Sequence, residues 1–201
     1  MYRRKDAFYT RAKAVGYRSR AAFKLEQLAS RGRLFHRGDC VVDLGAWPGG
    51  WLQVAAQHVG PTGTVIGVDL QPIDPLPEKN ITVVVGDLRS SDIQRRVTEL
   101  CGGRAQVVLS DLAPKLTGVR ARDAAQAQEL ADLVLEFSRS ILVVGGRLIV
   151  KLFTSDELPR YTARLRELFR EVRITRPEAT RKGSAEIYAI ATGFVGRTRS
   201  V

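Results

Sequence analysis

The chain has 201 residues, 44% hydrophobic and 26% charged, a balance that supports one buried core and excludes disordered, collagen-like and disulfide-rich classes. No apolar run approaches the roughly 20 residues of a membrane-spanning helix, and the basic N-terminus leads into no apolar stretch, so a cytoplasmic protein without membrane contact is expected. The net charge of +11 excludes a neutral surface and is unevenly placed: +8 within residues 1–33, zero over 34–175 and +3 over 176–201. A neutral body with two basic ends is an electrostatic footprint for phosphates. Tyr2, Phe8, Tyr9 and Tyr17 are interleaved with the basic residues, and aromatics stack on unpaired bases. Two cysteines, Cys40 and Cys101, and two histidines, His36 and His58, lack metal-ligand spacing. No metal is expected, and both cysteines read as small buried hydrophobes.

In chain order, Ser19–Gly32 is predicted as a helix with Ser19 as N-cap and Gly32 as C-terminal stop. Cys40–Leu44 is a short apolar run that suits a buried strand, followed by a glycine-rich turn and a helix at 50–59. Strands follow at Thr64–Asp69 and Ile81–Gly86, then a helix at 91–101 and a strand at Gln106–Ser110. A long helix at 122–142 leads to the strand Arg147–Lys151, and a helix at 157–170 precedes strands at 171–175 and 185–192. Strands alternating with helices of this length define an α/β domain with a mostly parallel, seven-stranded sheet and helices on both faces. The last two strands lie close together across a turn bearing Pro177 and Gly183, which predicts an antiparallel hairpin at one edge. The expected organisation is a basic N-terminal arm (1–18), one α/β domain (19–195) and a basic tail (196–201).

The stretch Val41-Val42-Asp43-Leu44-Gly45-Ala46-Trp47-Pro48-Gly49-Gly50-Trp51 is the most informative. In an open parallel sheet, ligands bind beyond the carboxyl ends of the strands, beside the switch point. The spacing G-x-x-x-G-G is not that of a dinucleotide pyrophosphate turn, which argues against a nicotinamide-dependent oxidoreductase. Asp69 closes the second strand, where a carboxylate accepts both hydroxyls of a ribose. Asp87 follows the third, placed for an adenine amino group with Leu88 against the ring. With no basic residue in the turn to neutralise a phosphate, the expected guest is a nucleoside without pyrophosphate, S-adenosylmethionine being the common one. The fourth strand ends in Ser110-Asp111-Leu112-Ala113-Pro114-Lys115, which lacks the acid or amide plus Pro-Pro-aromatic of amine methylases. Neither cysteine stands in a loop after a strand, as carbon methylation of a pyrimidine requires. An oxygen or small-molecule acceptor remains. Lys151 continues the apolar run of the fifth strand, either snorkelling from the strand end or chemically employed.

These motifs, together with Ser19-Arg-Ala-Ala-Phe-Lys24, Val150-Lys151-Leu-Phe153 and Ser184-Ala-Glu186-Ile-Tyr188, resemble the FtsJ/RrmJ family of ribose 2'-O-methyltransferases over about residues 3–195. The resemblance implies a Rossmann-like methyltransferase domain using S-adenosyl-L-methionine. It implies a catalytic tetrad of Lys24, Asp111, Lys151 and Glu186, and cofactor contacts at Gly49, Trp51, Asp69, Asp87 and Asp111. It further implies an RNA partner: most simply a uridine in the A-loop of 23S rRNA within the 50S subunit, with tRNA or a non-catalytic role in ribosome assembly as alternatives. Trp47 stands where a small Ala is usual and Lys115 where an Asn is usual. Lys151 is expected as the general base or its orienting equivalent, with Asp111 as second choice and electrostatic stabilisation of an alkoxide as the other role for Lys151. No long exposed apolar stripe is evident, so a monomer is expected.

Overall fold

A computed structural model of the chain describes residues 7–115, 117–181 and 183–196. Thirteen elements follow in order: α1 (Ala7–Ala14), α2 (Ala21–Ala29), β1 (Cys40–Leu44), α3 (Gly50–Val59), β2 (Thr64–Asp69), β3 (Ile81–Val85), α4 (Ser91–Leu100), β4 (Ala105–Ser110), α5 (Arg120–Ile141), β5 (Leu142–Phe153), α6 (Leu158–Leu168), β6 (Phe169–Thr175) and β7 (Glu186–Phe194). The strands form one sheet in the order β3-β2-β1-β4-β5-β7-β6. β7 alone runs antiparallel to its neighbours and inserts between β5 and β6, so the predicted hairpin forms the edge.

Strand alternation builds the two halves of the core. On β1, Val41 joins the cluster under α2 and α3 with Leu52, Val54, Val65 and Leu109. Val42 and Leu44 face the opposite cluster with Val134, Leu135 and Leu165 from α5 and α6. The same parity sends Asp43 to the α2/α3 side, fully buried. Chain order reverses between β1 and β4, and there the turn after β1 and the loop after β4 part to open a cleft.

Four details differ from expectation. Ser19 does not cap α2: Arg20 precedes the helix in α conformation without a side-chain cap, and Ser19 Oγ packs against Gly50, where a Cβ would collide with it. Within the expected arm, residues 7–14 form α1, whose Ala12 packs with Phe23 and Ala179; residues 1–6 and 197–201 lie outside the described residues. β5 begins five residues earlier than predicted, because Gly145 and Gly146 are accommodated by a register shift against β4 rather than ending the strand. Cys101 is buried, but Cys40 is only half-buried; its thiol is pushed up, first by a hydrogen bond with Cys101 and then by burial. No described helix is long and apolar enough to cross a membrane.

Candidate active site

The cleft at the switch point has a volume of about 750 Å3 and is lined by Gly45, Asp69, Asp87, Leu88, Asp111 and Lys115, among others. Gly45 is at φ +83°, and a Cβ there would sit 2.6 Å from Leu112 Cδ2, so backbone alone fits between β1 and the β4 loop. Asp69 is anchored at the cleft wall: its Oδ2 accepts the Trp47 N–H at 2.9 Å and its Oδ1 the Gln71 N–H at 2.9 Å. Both oxygens keep a lone pair for a further donor. Asp87 is less free than expected. Arg89 donates to it through Nη2 at 2.7 Å, and that side-chain hydrogen bond, followed by the Arg89 backbone one, holds the Asp87 carboxyl below the usual range.

Gly49 and Trp51 do not line this cleft. Gly49, at φ +108°, opens α3. Trp51 is buried, donating its indole N–H to the Ala21 carbonyl at 2.7 Å and packing its ring 6.0 Å from that of Tyr188. Its side chain therefore braces α2 and Tyr188, and only its backbone, in the first turn of α3, offers a donor to a ligand.

Asp43 lies beneath the turn, fully buried, and neither carboxyl oxygen has a partner among the described residues. Burial, then repulsion from Asp111 and Asp69, pushes its pKa well above the ordinary value. A buried, unpaired carboxyl between two others is the electrostatic complement of a cation. Between the ordinary value of 3.8 and its raised folded value, Asp43 binds more protons folded than unfolded, so it costs stability as pH rises through that window. Asp43→Asn is expected to melt at higher temperature than wild type without ligand. Its advantage should grow with pH across the window and then level off, in melting curves of the two proteins at matched pH.

On the other side of Asp111, four predicted residues converge through strand register. β5 and β7 pair so that Lys151 stands directly opposite Tyr188, and Glu186 lies two residues before Tyr188 on the same face. β4 ends in register with Val150, which brings Asp111 beside Lys151. Lys151 Nζ lies 2.9 Å from Asp111 Oδ1 and donates to the Asp111 carbonyl at 2.9 Å. Lys24, reaching in from α2, forms an ion pair with Glu186 and donates to Tyr188 Oη at 3.2 Å. Burial alone would raise the Asp111 pKa, but Lys151 and Lys24 outweigh it and hold the carboxyl below the usual range.

The residue missed by sequence reasoning is Tyr188. Its Oη lies 2.6 Å from Asp111 Oδ1 and 2.7 Å from Glu186 Oε1, joining the two ion pairs. Burial, then the two carboxylates, raises its pKa well above 10, so it stays a phenol whose one hydrogen serves one carboxylate at a time. Tyr188 stands two residues after Glu186, and a phenol within the apolar run Ile187–Ala191 was the available signal. Tyr188→Phe is expected to lose about 1.5–3 kcal/mol of stability, as for a buried hydrogen bond to a charged group. Turnover should fall with it while cofactor affinity holds, by melting and single-turnover assay.

An open α/β sheet of this order, with an antiparallel seventh strand and a glycine turn over acidic strand ends, defines a Rossmann-like methyltransferase. A family model described as FtsJ-like methyltransferase matches residues 17–194. The chain is 41% identical to ribosomal RNA large subunit methyltransferase E of Methanobrevibacter smithii, covering 96% of this chain and 92% of that protein. It is 40% identical to the protein of the same name from Anaeromyxobacter dehalogenans, covering 100% and 75%. Among solved structures, a Plasmodium falciparum protein assigned as a ribosomal RNA methyltransferase superposes with a TM-score of 0.79 at 26% identity, covering 90% of this chain and all of that one. Aeropyrum pernix fibrillarin, solved with S-adenosyl-L-methionine bound, shares the fold with a TM-score of 0.61 at 19% identity, over 88% and 75% of the two chains. The chain belongs to the FtsJ-like methyltransferase family, and its methyl donor is S-adenosylmethionine.

Proposed function

We propose that the chain methylates a ribose 2'-hydroxyl in large-subunit ribosomal RNA. The observation that carries this reading is the meeting of Lys24, Asp111, Lys151 and Glu186, bridged by Tyr188, at the edge of the cleft. The names of the relatives at about 40% identity support the substrate class.

S-adenosylmethionine supplies an electrophilic methyl group on a positively charged sulfur. The residues present fit it: Asp43 is a buried carboxyl without a partner among the described residues, and Gly45 lines the cleft as backbone alone, with Leu112 where its side chain would stand. Asp69 would take the ribose hydroxyls, Leu88 would pack on the adenine, and Asp87 would receive its amino group beside Arg89. The first turn of α3, at Gly50 and Trp51, would present backbone N–H groups to the carboxylate end.

A ribose hydroxyl is a weak nucleophile, so the chain must hold its oxygen in line and manage its proton. Asp111, kept ionised by its two lysines, is a poor proton acceptor and instead fixes the Lys151 amine. After losing one proton to solvent, Lys151 keeps two hydrogens on Asp111 and turns its lone pair toward the incoming oxygen. It orients that oxygen and takes its proton as the oxygen–methyl bond forms and the methyl–sulfur bond breaks. The Lys24–Glu186 pair and Tyr188 hold the wall from which Asp111 projects. The 2'-hydroxyl distinguishes RNA from DNA, and the excess positive charge carried by the N-terminal sequence favours its phosphates. We place the protein in the cytoplasm, acting as a monomer on an A-loop uridine of the assembled 50S subunit.

The test is transfer of labelled methyl groups to unmodified 50S subunits, free 23S rRNA and tRNA. Label confined to the 50S sample supports the whole reading. Label in tRNA keeps the chemistry and changes the partner, and no label with cofactor bound leaves a non-catalytic assembly protein.

A further inference from the structure

Helix α2 serves two sites. Lys24 points to Glu186 and Tyr188, whereas the adjacent Phe23 turns to α1 and packs with Ala12 and Ala179. Between α1 and α2 a second hollow, of about 400 Å3, opens to solvent, with Phe8, Arg11, Tyr17, Phe23 and Ser30 in its lining. It takes no part in the chemistry described above.

Its floor is aromatic. The Phe23 ring lies 5.8 Å from that of Phe8 and 5.5 Å from that of Tyr17, the latter edge-on. The Arg11 guanidinium sits 4.9 Å from the centre of the Phe23 ring and projects from an exposed position on α1. Phe8 and Tyr17 are only half-buried, so each keeps ring surface at the mouth. Arg11 and Glu26 are the charged residues of its described lining, and Glu26 is already engaged by the Tyr17 hydroxyl at 2.6 Å, which leaves Arg11 as the charge at the mouth.

We propose that this hollow receives an unpaired nucleotide of the RNA substrate, flanking the ribose presented to Lys151, with its base against Phe8 and Tyr17 and its phosphate at Arg11. The proposal rests on the reading of the substrate as RNA. An aromatic floor requires a bare base face, which a duplex covers, so the nucleotide is single-stranded. The two sites share one helix of about 10–12 Å diameter, a span that a strand covers in a few nucleotides at about 3.4 Å each when stacked.

Steady-state methylation of unmodified large ribosomal subunits by the full chain tests it, with ultraviolet crosslinking of the same complex. Phe8→Leu keeps apolar volume under α1 but removes the ring, Phe8→Tyr keeps the ring, and Ser30→Trp fills the hollow from an exposed position. The expected result is a KM for RNA raised about tenfold in Phe8→Leu and Ser30→Trp, the scale of one lost base–aromatic stack. Phe8→Tyr should stay within about twofold, with kcat and cofactor affinity unchanged throughout and a nucleotide crosslinked to the peptide carrying Phe8 or Tyr17. Unchanged KM in Ser30→Trp, an equal rise in Phe8→Leu and Phe8→Tyr, or crosslinks confined to other peptides overturns it while wild type still methylates RNA. A wild-type protein that methylates no RNA overturns the parent reading and this one together.

Discussion

Lys151→Ala is expected to abolish methyl transfer while leaving S-adenosylmethionine affinity within a few-fold of wild type. Lys151 lies at the edge of the cleft, bound to Asp111 by carboxylate and carbonyl, and its amine is the group free to meet an incoming hydroxyl. Loss of a positioned proton acceptor costs about 10²- to 10⁴-fold in rate, and loss of the orienting contact adds to it. Removing the amine leaves the Asp111 carboxylate with the Tyr188 hydroxyl and the nearby Lys24 charge, so the stability lost should be smaller than for Asp111→Ala and the protein should still fold. Single-turnover transfer and calorimetric titration of the cofactor separate the two quantities. Near-normal turnover in this variant would remove Lys151 from the mechanism.

Asp111→Ala should be the more damaging substitution, because it fails twice. Asp111 neutralises Lys151, receives Tyr188 and is the residue shared by the cleft and the cluster of Lys24, Lys151 and Glu186. Removing one member of a buried ion pair strands the other charge, at a cost of about 3–5 kcal/mol. Activity and stability should therefore fall together, with cofactor affinity reduced. Asp111→Asn keeps the shape and should recover part of the stability but not the transfer. Because Lys151 and Lys24 hold the folded carboxyl below its ordinary 3.8, its contribution is present above that value and is lost as pH falls through the lower folded one. The gap in melting temperature between wild type and Asp111→Asn should accordingly close only in acid.

Much of this architecture was legible residue by residue. Cys40–Leu44, 50–59 and Thr64–Asp69 fold as read, because a short apolar run, a glycine turn and a bounded helix each carry a local signal. Helix α1 was hidden: it is eight residues of mixed polarity that pack on Phe23 of the next helix and on Ala179, far along the chain. The start of β5 was hidden by Gly145 and Gly146, since a register shift is a property of two strands and not of one. In the site, Asp69 and Asp111 could be placed from strand ends alone. Tyr188 could not, because its role depends on the β5–β7 register that sets it opposite Lys151. Trp51 shows the reverse case: its motif position suggested a ligand contact, whereas tertiary packing directs its ring inward beneath Tyr188. Arg89 was adjacent to Asp87 in sequence and its pairing was open to local reasoning.

Whether the acceptor is a ribose oxygen is decided by the chemistry of the product. A 2'-O-methyl group removes the hydroxyl that drives alkaline cleavage of the following phosphodiester. After labelled transfer to unmodified large ribosomal subunits, alkaline hydrolysis should leave the label in an alkali-stable dinucleotide bearing 2'-O-methyluridine. Label recovered instead in mononucleotides carrying a methylated base would contradict the account, whatever RNA had been modified.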